Sequence, residues 1–223
     1  MSNLFTYREF VQLTKKGKIN YEKLTLPKNT LIGNSSEYSN NAVYLIVEGF
    51  VNISLIQSPP RVYTICGKGV FLNYYALLGT EMSLFSFKTA SKCVIYKYYM
   101  RDLEYLLSMF PENYGFQFFI MKDLAAHLYY KTLLNSCIGN DKMETSFVNI
   151  AKLYGSPLES DKVSLPREIQ MQTIFSYSGL SKSSGYKQLS GLKERGKLSK
   201  VNKQWIIHDQ ALHDFCQQRD SLQ

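Results

Sequence analysis

Cysteine and histidine, the residue types that most often act as nucleophiles or metal ligands, are few and scattered in this chain of 223 residues. His208 and His213 are five residues apart, which places them on different faces of a helix. We therefore expect no metal site, and no nucleophile, base and orienting group can be combined into a catalytic set. The protein is predicted not to be an enzyme. The four cysteines are Cys66, Cys93, Cys137 and Cys216, without a CxxC pair.

The composition and the first residues indicate a folded protein of the cytoplasm. Hydrophobic residues make up 45% of the chain, which is typical of globular domains rather than of disordered segments. Residues 1–9 lack a basic head followed by an apolar stretch, and no apolar run approaches the ~20 residues that span a bilayer. In a reducing cytoplasm the cysteines are expected to be thiols, most of them buried, with redox sensing as the alternative.

Lysine and arginine near the C-terminus indicate a different chemistry, the binding of a polyanion. Nine basic and two acidic residues lie between Lys162 and Lys203, so this segment carries +7 of the net charge of +8. A solvated protein surface can also be basic. Concentrating nearly all the excess charge in one short folded segment nevertheless favours a polyanionic partner.

The pattern of residues 166–207 predicts the elements that would present these charges. A first helix ends near Tyr177, and Gly179 supplies the left-handed conformation of a turn. Ser181 is a natural N-cap for a second helix over Lys182–Lys193. This order is that of a helix-turn-helix, although an ordinary surface helical hairpin has a similar spacing.

The residues that follow the second helix strengthen the DNA-binding interpretation. Ser199–Ile207 reads as a strand, a turn containing asparagine and a second strand, which together form the wing of a winged helix, with Trp205 packed beneath it. Hydroxyls and amines at the start of the second helix would reach base edges and phosphates in a major groove. The residues predicted to contact DNA are Lys182, Ser183, Ser184, Tyr186, Lys187, Lys200 and Lys203.

Two glycines weaken the second helix in isolation. Gly185 and Gly191 each cost roughly 1 kcal/mol of helix stability relative to alanine. We therefore expect this helix to be poorly ordered until DNA or an effector fixes it.

Two other regions precede the basic segment. From about Leu24 to Tyr99, short β-rich runs separated by glycine and proline predict an all-β barrel or sandwich. A helix is predicted to begin near Met100, to break at Pro111 and to resume to about Asn140. The predicted strands include Val43–Val47, Val51–Leu55, Val62–Ile65, Phe85–Phe87 and Cys93–Tyr96.

The second of these helices is long, and its apolar residues fill more than one narrow stripe. Residues 113–138 contain no proline and would form a rod of ~39 Å. One apolar face can cover the β-rich region while the other pairs with a second copy of the chain. A monomer with one long core helix is the alternative.

Taken together, the chain resembles the Crp/Fnr family of bacterial regulators over nearly its whole length, and its listerial PrfA-like members in particular. The resemblance rests on the order of the elements, on the segments Leu45–Val51 and Gly67–Gly69, and on the turn at Ser178–Ser184. It implies an α+β fold with a cyclic-nucleotide-binding-like β-roll, or jelly roll, followed by a long dimerisation helix and a winged helix-turn-helix. The corresponding segments are residues 1–110, 111–140 (with a hinge at its end) and 141–223.

The resemblance also implies partners. It predicts a homodimer that binds a palindromic promoter site with half-sites ~34 Å apart, and RNA polymerase as a further partner. In the recognition helix, Lys182–Lys187 stands where the family has Arg-Glu-x-x-x-Arg, so the operator sequence is expected to differ.

The residues that bind cyclic nucleotide in this family are missing. The family uses Gly-Glu for the ribose and Arg-Ser/Thr for the phosphate, where this chain has Asn73–Tyr74 and Phe85–Thr89. Lys88 offers a cation without the bidentate fork of arginine, so we expect negligible affinity for cAMP. The cysteine cluster that holds an iron–sulfur cluster in FNR-type sensors is also absent.

A small-molecule effector other than cAMP, or the abundance of the protein, would then control it. We predict that an effector pocket lies where β-roll, long helix and DNA-binding domain meet. Its lining would consist of Tyr63, Phe71, Tyr74, Tyr129 and Tyr130, with Lys88 as a cation. The alternative is that these aromatic residues are simply core.

A second function class remains open, a ligand-sensing or protein-interaction module whose winged helix contacts protein rather than DNA. Salt separates the two, because binding through several DNA phosphates weakens by orders of magnitude between ~50 and ~200 mM salt.

Overall fold

A computed structural model of the chain describes residues 7–33, 42–56, 61–74, 85–109 and 114–221. The predicted break at Pro111 and the turn at residues 58–60 lie outside these ranges. The helices are α1 (Tyr7–Lys15), α2 (Met100–Met109), α3 (Tyr114–Ser136), α4 (Lys142–Tyr154), α5 (Met171–Ser178), α6 (Lys182–Glu194) and α7 (Gln210–Ser221). The strands are β1 (Glu22–Leu26), β2 (Leu31–Ile32), β3 (Ala42–Glu48), β4 (Val51–Leu55), β5 (Val62–Cys66), β6 (Phe71–Leu72), β7 (Phe85–Thr89), β8 (Cys93–Tyr99), β9 (Ser156–Pro157), β10 (Lys162–Ser164), β11 (Leu198–Val201) and β12 (Gln204–His208).

The chain divides into two compact units. One comprises Met1–Pro59 and Cys66–Leu128, and the other comprises Pro60–Ile65 and Tyr129–Gln223. The sequence-based segments treat the long helix as a separate part, whereas the packing assigns its first two thirds to one unit and its last turns to the other.

The first unit contains the strands that the sequence predicted between Leu24 and Tyr99, except Val62–Ile65, which belongs to the second unit. The strand orders within the first unit are β1-β8-β3-β6 and β2-β7-β4. Strand β3 is buried over most of its length because its alternate side chains enter two different core clusters, Tyr44 and Ile46 in one and Val43 and Leu45 in the other. At the turn after β3, Gly49 has a φ of 90°, and a Cβ there would lie 2.3 Å from the carbonyl oxygen of Lys92. Glycine is therefore required at this position of the motif.

An aromatic cluster joins the sheet of the first unit to two helices. The ring of Phe10 on α1 lies 5.3 Å from Phe71, 5.4 Å from Tyr98 and 5.5 Å from Phe116 on α3. Helix α1 was not predicted from the sequence, because the contacts of its apolar residues are with residues far along the chain. Such ring pairs add stability beyond the area that they bury.

Helix α3 is apolar on two faces, as predicted. It ends at Ser136 rather than near Asn140, because Ile138 is extended and Gly139–Asp141 forms a separate 3-10 turn. Its 23 residues span ~34 Å instead of ~39 Å. The buried face consists of Phe116, Ile120, His127, Tyr130 and Leu134. The exposed apolar side chains, 42–65% accessible, are Phe118, Met121, Leu124, Leu128 and Tyr129.

The second unit contains a small antiparallel sheet, the last turns of α3 and the helices α4, α5, α6 and α7. The strand order is β11-β12-β10-β9, and α4 supplies the buried Met143, Phe147 and Ile150. Helix α7 was not predicted, because only Leu212 and Cys216 of its residues are buried.

The cysteines are free thiols, and three of the four are buried, as expected. Burial raises the pKa of the Cys66 thiol well above its ordinary value. Within the part of the chain that the structure describes, no helix is long and apolar enough to cross a membrane.

Candidate nucleic-acid interface

The turn between α5 and α6 is closed by its own side chains. Gly179 adopts the predicted left-handed conformation with a φ of 70°. The Ser178 hydroxyl donates to the carbonyl oxygen of Phe175 at 2.8 Å and accepts from the backbone N–H of Leu180 at 3.2 Å. The direction in which α6 leaves the turn is therefore constrained by local hydrogen bonds.

Serine hydroxyls cluster where α6 begins. Ser181 is the N-cap, as predicted, and its Oγ accepts from the backbone N–H of Ser184 at 3.2 Å. The same Oγ lies 3.1 Å from the hydroxyl of Ser183 and 3.0 Å from that of Ser184. All three side chains are exposed at the positive end of the helix dipole, where an anion would be stabilised.

The polar side of α6 carries the residues that were predicted from the sequence to contact DNA. Gly185, Leu189 and Leu192 are buried. The ring of Tyr186 is 57% exposed and is held edge-to-face against Phe175 at 4.9 Å. The predicted contact residues of this helix that are exposed are Lys182, Ser183, Ser184, Tyr186 and Lys187.

The first half of α6 lies very close to α5 and α4. A Cβ on Gly185 would lie 2.7 Å from two ring atoms of Phe175 and 3.3 Å from the terminal methyl of Met143. A Cβ on Gly191 would meet only a guanidinium nitrogen of Arg195, at 3.8 Å. The helix is continuous over Lys182–Glu194, and tertiary packing around Gly185 acts against its low helix propensity. That the helix is poorly ordered before DNA binds stays a prediction.

The predicted wing is the hairpin of β11 and β12. Lys200 pairs with Trp205, Val201 pairs with Gln204, and the two residues between them form the turn. Asn202 and Lys203 both have positive φ, of 50° and 68°, which is the geometry of a type I′ turn. The side chains of Lys200 and Lys203 are exposed.

Trp205 packs beneath the wing, as predicted. It is 7% exposed, and its ring lies edge-to-face with Phe147 at 5.6 Å. The amines of Lys193 and Lys200 lie 5.2 Å and 4.9 Å from the centroid of the indole ring. These cation–π contacts connect the end of α6 to the wing through one side chain.

One acidic residue offsets part of the basic charge. The carboxylate of Glu144 on α4 forms an ion pair with Lys197 and lies 3.8 Å from the guanidinium of Arg195. Both cations belong to the basic segment 162–203. The structure pairs them with a residue about fifty positions earlier, so less of the segment's positive charge is unpaired than its composition indicates.

Gln188 is a positioning residue that the sequence did not reveal. Its Oε1 accepts from the backbone N–H of Met143 at 3.1 Å, and its Nε2 donates to the carbonyl oxygen of Gly139 at 3.4 Å. These bonds tie α6 to the start of α4, and no local motif in the sequence signals them.

The residues of the predicted effector pocket lie in both compact units. Phe71 is 4% exposed within the aromatic cluster, and Lys88 is exposed on β7. Tyr74 packs against the same core as Phe71. In the second unit, the rings of Tyr129 and Tyr130 are 5.5 Å apart, and Tyr63 is half-buried on β5. The pocket stays a prediction.

The histidines of the second unit have other partners than a metal ion. His208 Nε2 lies 2.8 Å from the Ser199 hydroxyl, and His213 Nε2 lies 2.8 Å from the carbonyl oxygen of Leu158. Across the described ranges, no group of three histidine, cysteine, aspartate or glutamate side chains could hold a metal ion.

Solved structures show the same fold. A cyclic nucleotide-binding domain containing protein from Listeria monocytogenes EGD-e is 19% identical, with a TM-score of 0.74 over 92% of this chain and 99% of that one. The c-di-GMP responsive global regulator CLP from Xanthomonas campestris is 17% identical, with a TM-score of 0.65 over 89% and 99%. A transcriptional regulator of the CRP/FNR family from Thermus thermophilus is 14% identical, with a TM-score of 0.61 over 88% and 98%.

These likenesses confirm the predicted fold class, an α+β chain with a jelly-roll-like N-terminal region and a helix-turn-helix. No protein-family model and no curated protein matches the chain.

The two glycines of α6 should respond in opposite ways to the same substitution. Gly185→Ala forces the Phe175 ring to move and is expected to lower the free energy of unfolding by about 1–2 kcal/mol. Gly191→Ala, the matched control, is expected to raise it by up to about 1 kcal/mol, because the site has room and alanine favours the helix. Urea denaturation measures both. Equal effects of the two substitutions would contradict the packing described here.

The wing turn holds a lysine where glycine is favoured. Lys203→Gly is expected to raise the free energy of unfolding by about 1 kcal/mol, because glycine adopts the left-handed conformation without strain. The same change should weaken binding to DNA and lower the slope of log affinity against log salt by about one. Lys203→Ala is the control, since it removes the charge and keeps the strain, and it should weaken binding without stabilising the fold. Unchanged DNA binding by both variants would exclude Lys203 from the interface.

Proposed function

We propose that the protein is a sequence-specific, DNA-binding transcription regulator that acts as a homodimer on a palindromic promoter site. The observation that carries the proposal is the exposed set of hydroxyls and lysines on the first two turns of α6, in a winged helix whose wing carries two further exposed lysines. A helix of this kind enters a major groove with its N-terminal residues toward the bases.

The chemistry of the interface divides between affinity and specificity. Lys200 and Lys203 on the wing are suited to phosphate contacts, which supply affinity that does not depend on sequence. Ser183, Ser184 and Lys187 on α6 are suited to base edges, where hydroxyls donate and accept and an ammonium group donates to guanine. Because lysine lacks the bidentate fork of arginine, discrimination at each lysine contact is expected to be weaker.

The exposed apolar face of α3 supports a homodimer. Phe118, Met121, Ala125 and Leu128 follow a spacing of three and four residues along the helix and are all exposed. This is the spacing of a helix-pairing seam, and such a continuous apolar stripe is unfavourable in water. A two-fold dimer would present α6 twice, at half-sites ~34 Å apart.

Control by an effector other than cAMP is part of the proposal. Asn73 stands at the position of the family's ribose-binding segment, is 4% exposed and donates its Nδ2 to the carbonyl oxygen of Ala42 at 2.8 Å. That side chain contributes to the fold rather than to a nucleotide site. A solved structure of the same fold is described as responsive to c-di-GMP, which supports an effector of another kind. Action at a promoter implies RNA polymerase as a further partner.

The recognition helix can be tested with a double substitution. Binding sites are first selected from random duplex DNA with the wild-type protein. Lys182→Ala with Lys187→Ala is then expected to weaken binding to the selected duplex by about thirtyfold or more, since each lost contact to a base or phosphate costs roughly 1–3 kcal/mol. Fluorescence anisotropy of labelled duplex at ~50 and ~200 mM salt measures the loss, and added cAMP should leave the affinity unchanged.

Lys16→Ala with Lys18→Ala removes the same charge from exposed positions of the first unit and is the matched control. It should bind like the wild type. Undiminished footprinting by the α6 double variant would exclude this helix as the recognition element. A wild-type protein that selects no sequence, or whose binding ignores salt, would favour the protein-interaction module instead.

The dimer seam can be tested independently of DNA. Phe118→Glu with Leu128→Glu places two carboxylates in the proposed seam and is expected to convert the dimer to a monomer in sedimentation velocity. Gln117→Glu, an exposed polar position on the same helix, is the control and should leave the dimer intact. A wild-type protein that sediments as a monomer at micromolar concentration would contradict the homodimer.

A further inference from the structure

The last turn of α5 is held by two segments that lie outside the helix-turn-helix but within the same compact unit. The backbone N–H of Val62 on β5 donates to the hydroxyl of Ser176 at 3.0 Å. The amine of Lys131 on α3 donates to the carbonyl oxygen of Tyr177 at 2.9 Å and to that of Val62 at 3.4 Å. Strand β5, helix α3 and the end of α5 therefore share one small hydrogen-bond network.

The ammonium group of Lys131 is held without a carboxylate partner in this network. It lies 4.7 Å from the ring centroid of Tyr177 and 5.9 Å from that of Tyr63. The charged groups that act on it are Arg61 and Lys142, both cations. Burial, then Lys142 and Arg61, lower the pKa of Lys131 to about 8. Burial raises the pKa of both phenols, that of Tyr177 to about 12, so they stay neutral when Lys131 titrates.

The position of these contacts in the helix-turn-helix gives them a functional meaning. The carbonyl groups at the end of a helix lack partners within the helix and form the negative end of its dipole, where a cation is stabilising. Tyr177 is followed directly by Ser178 and Gly179, which form the turn that sets the direction of α6. A displacement of the last turn of α5 therefore displaces the recognition helix.

We infer that Lys131, together with Ser176, is a positioning residue for DNA recognition. The protonated amine fixes the end of α5 against β5 and α3, and through the turn it fixes the direction in which α6 is presented. Loss of the proton weakens these hydrogen bonds, so the protein binds its operator less tightly as Lys131 becomes neutral. The inference rests on the proposed DNA-binding function.

If Lys131 positions α6, fold stability and DNA affinity should change in opposite directions with pH, whereas a purely structural role predicts no loss of affinity. The folded protein releases the Lys131 proton at a lower pH than the unfolded chain does, because the pKa is lowered on folding. The free energy of unfolding therefore rises as the pH increases through 8 toward 10. DNA affinity should fall over the same interval if the ammonium group positions α6.

The experiment compares four variants with the wild type on the duplex selected above, at pH 7 and pH 9. Lys131→Met keeps the length of the side chain and removes its donors, Lys131→Arg keeps a charge that does not titrate, and Ser176→Ala removes the acceptor for Val62. Lys122→Met, an exposed lysine of the same helix, is the control. Sedimentation and thermal unfolding on every variant show whether dimer and fold persist.

We expect Lys131→Met to weaken operator binding about tenfold or more at pH 7, with no further loss at pH 9. The reason is that losing a hydrogen bond from a charged group lowers an equilibrium constant by about tenfold or more. The operator affinity of the wild type should fall by a similar factor between pH 7 and pH 9. Lys131→Arg should bind within about threefold of the wild type at pH 7 and change little with pH. This variant also controls for the α-amino group, which titrates in the same range. Ser176→Ala should weaken operator binding severalfold, and Lys122→Met should leave it unchanged.

Two results would overturn the inference while leaving the proposed function intact. One is a wild-type operator affinity that is equal at pH 7 and pH 9. The other is a folded, dimeric Lys131→Met variant that binds like the wild type. If Lys131→Met fails to fold, the wild-type pH profile compared with that of Lys131→Arg decides the question. A wild-type protein that selects no duplex at either pH contradicts the proposed function itself.

Discussion

The close approach of α6 to α5 at Gly185 is the constraint on which the packing of the second unit depends. Because this position has no side chain, the ring of Phe175 can approach to within 2.7 Å, and the end of Met143 to within 3.3 Å, of where a Cβ would be. The contact brings the recognition helix near enough to α5 for Tyr186 to pack on Phe175 and for Gln188 to reach the start of α4. Burial of the apolar side of α6 against α4 and α5 leaves its serines and lysines in solvent.

The arrangement of charge follows from the same packing. Glu144 on α4 forms an ion pair with Lys197 and lies close to the guanidinium of Arg195, just after the C-terminal end of α6. The indole of Trp205 lies near the amines of Lys193 and Lys200, so the wing and the end of α6 are stabilised by contacts that need no anion. Among the described residues of α6 and the wing, the cations that remain without such partners are those at the start of α6 and at the tip of the wing. Net charge alone therefore describes the interface less well than the distribution of ion pairs does.

Helix α3 carries two of the features on which the proposed function rests. Its exposed apolar face is suited to pairing with a second copy, and its last turns belong to the unit that contains the winged helix. Lys131 lies on those last turns and bonds to the end of α5. In the proposed function, this one helix therefore contributes both to the dimer and to the placement of α6.

The sequence by itself determined the features whose causes are local. The Ser181 cap, the left-handed Gly179, the asparagine turn of the wing and the β-rich runs depend on residues within a few positions of each other, so they could be predicted. Only the tertiary structure decided what Gly185, Gln188, Lys131 and Glu144 do, because their partners lie far along the chain. Gln188 bonds across 45 positions, Lys131 across 46 and Glu144 across 53. From the sequence alone, Gly185 is expected only to weaken the helix. In the tertiary structure, the missing side chain at Gly185 allows α6 to pack closely against Phe175 of α5.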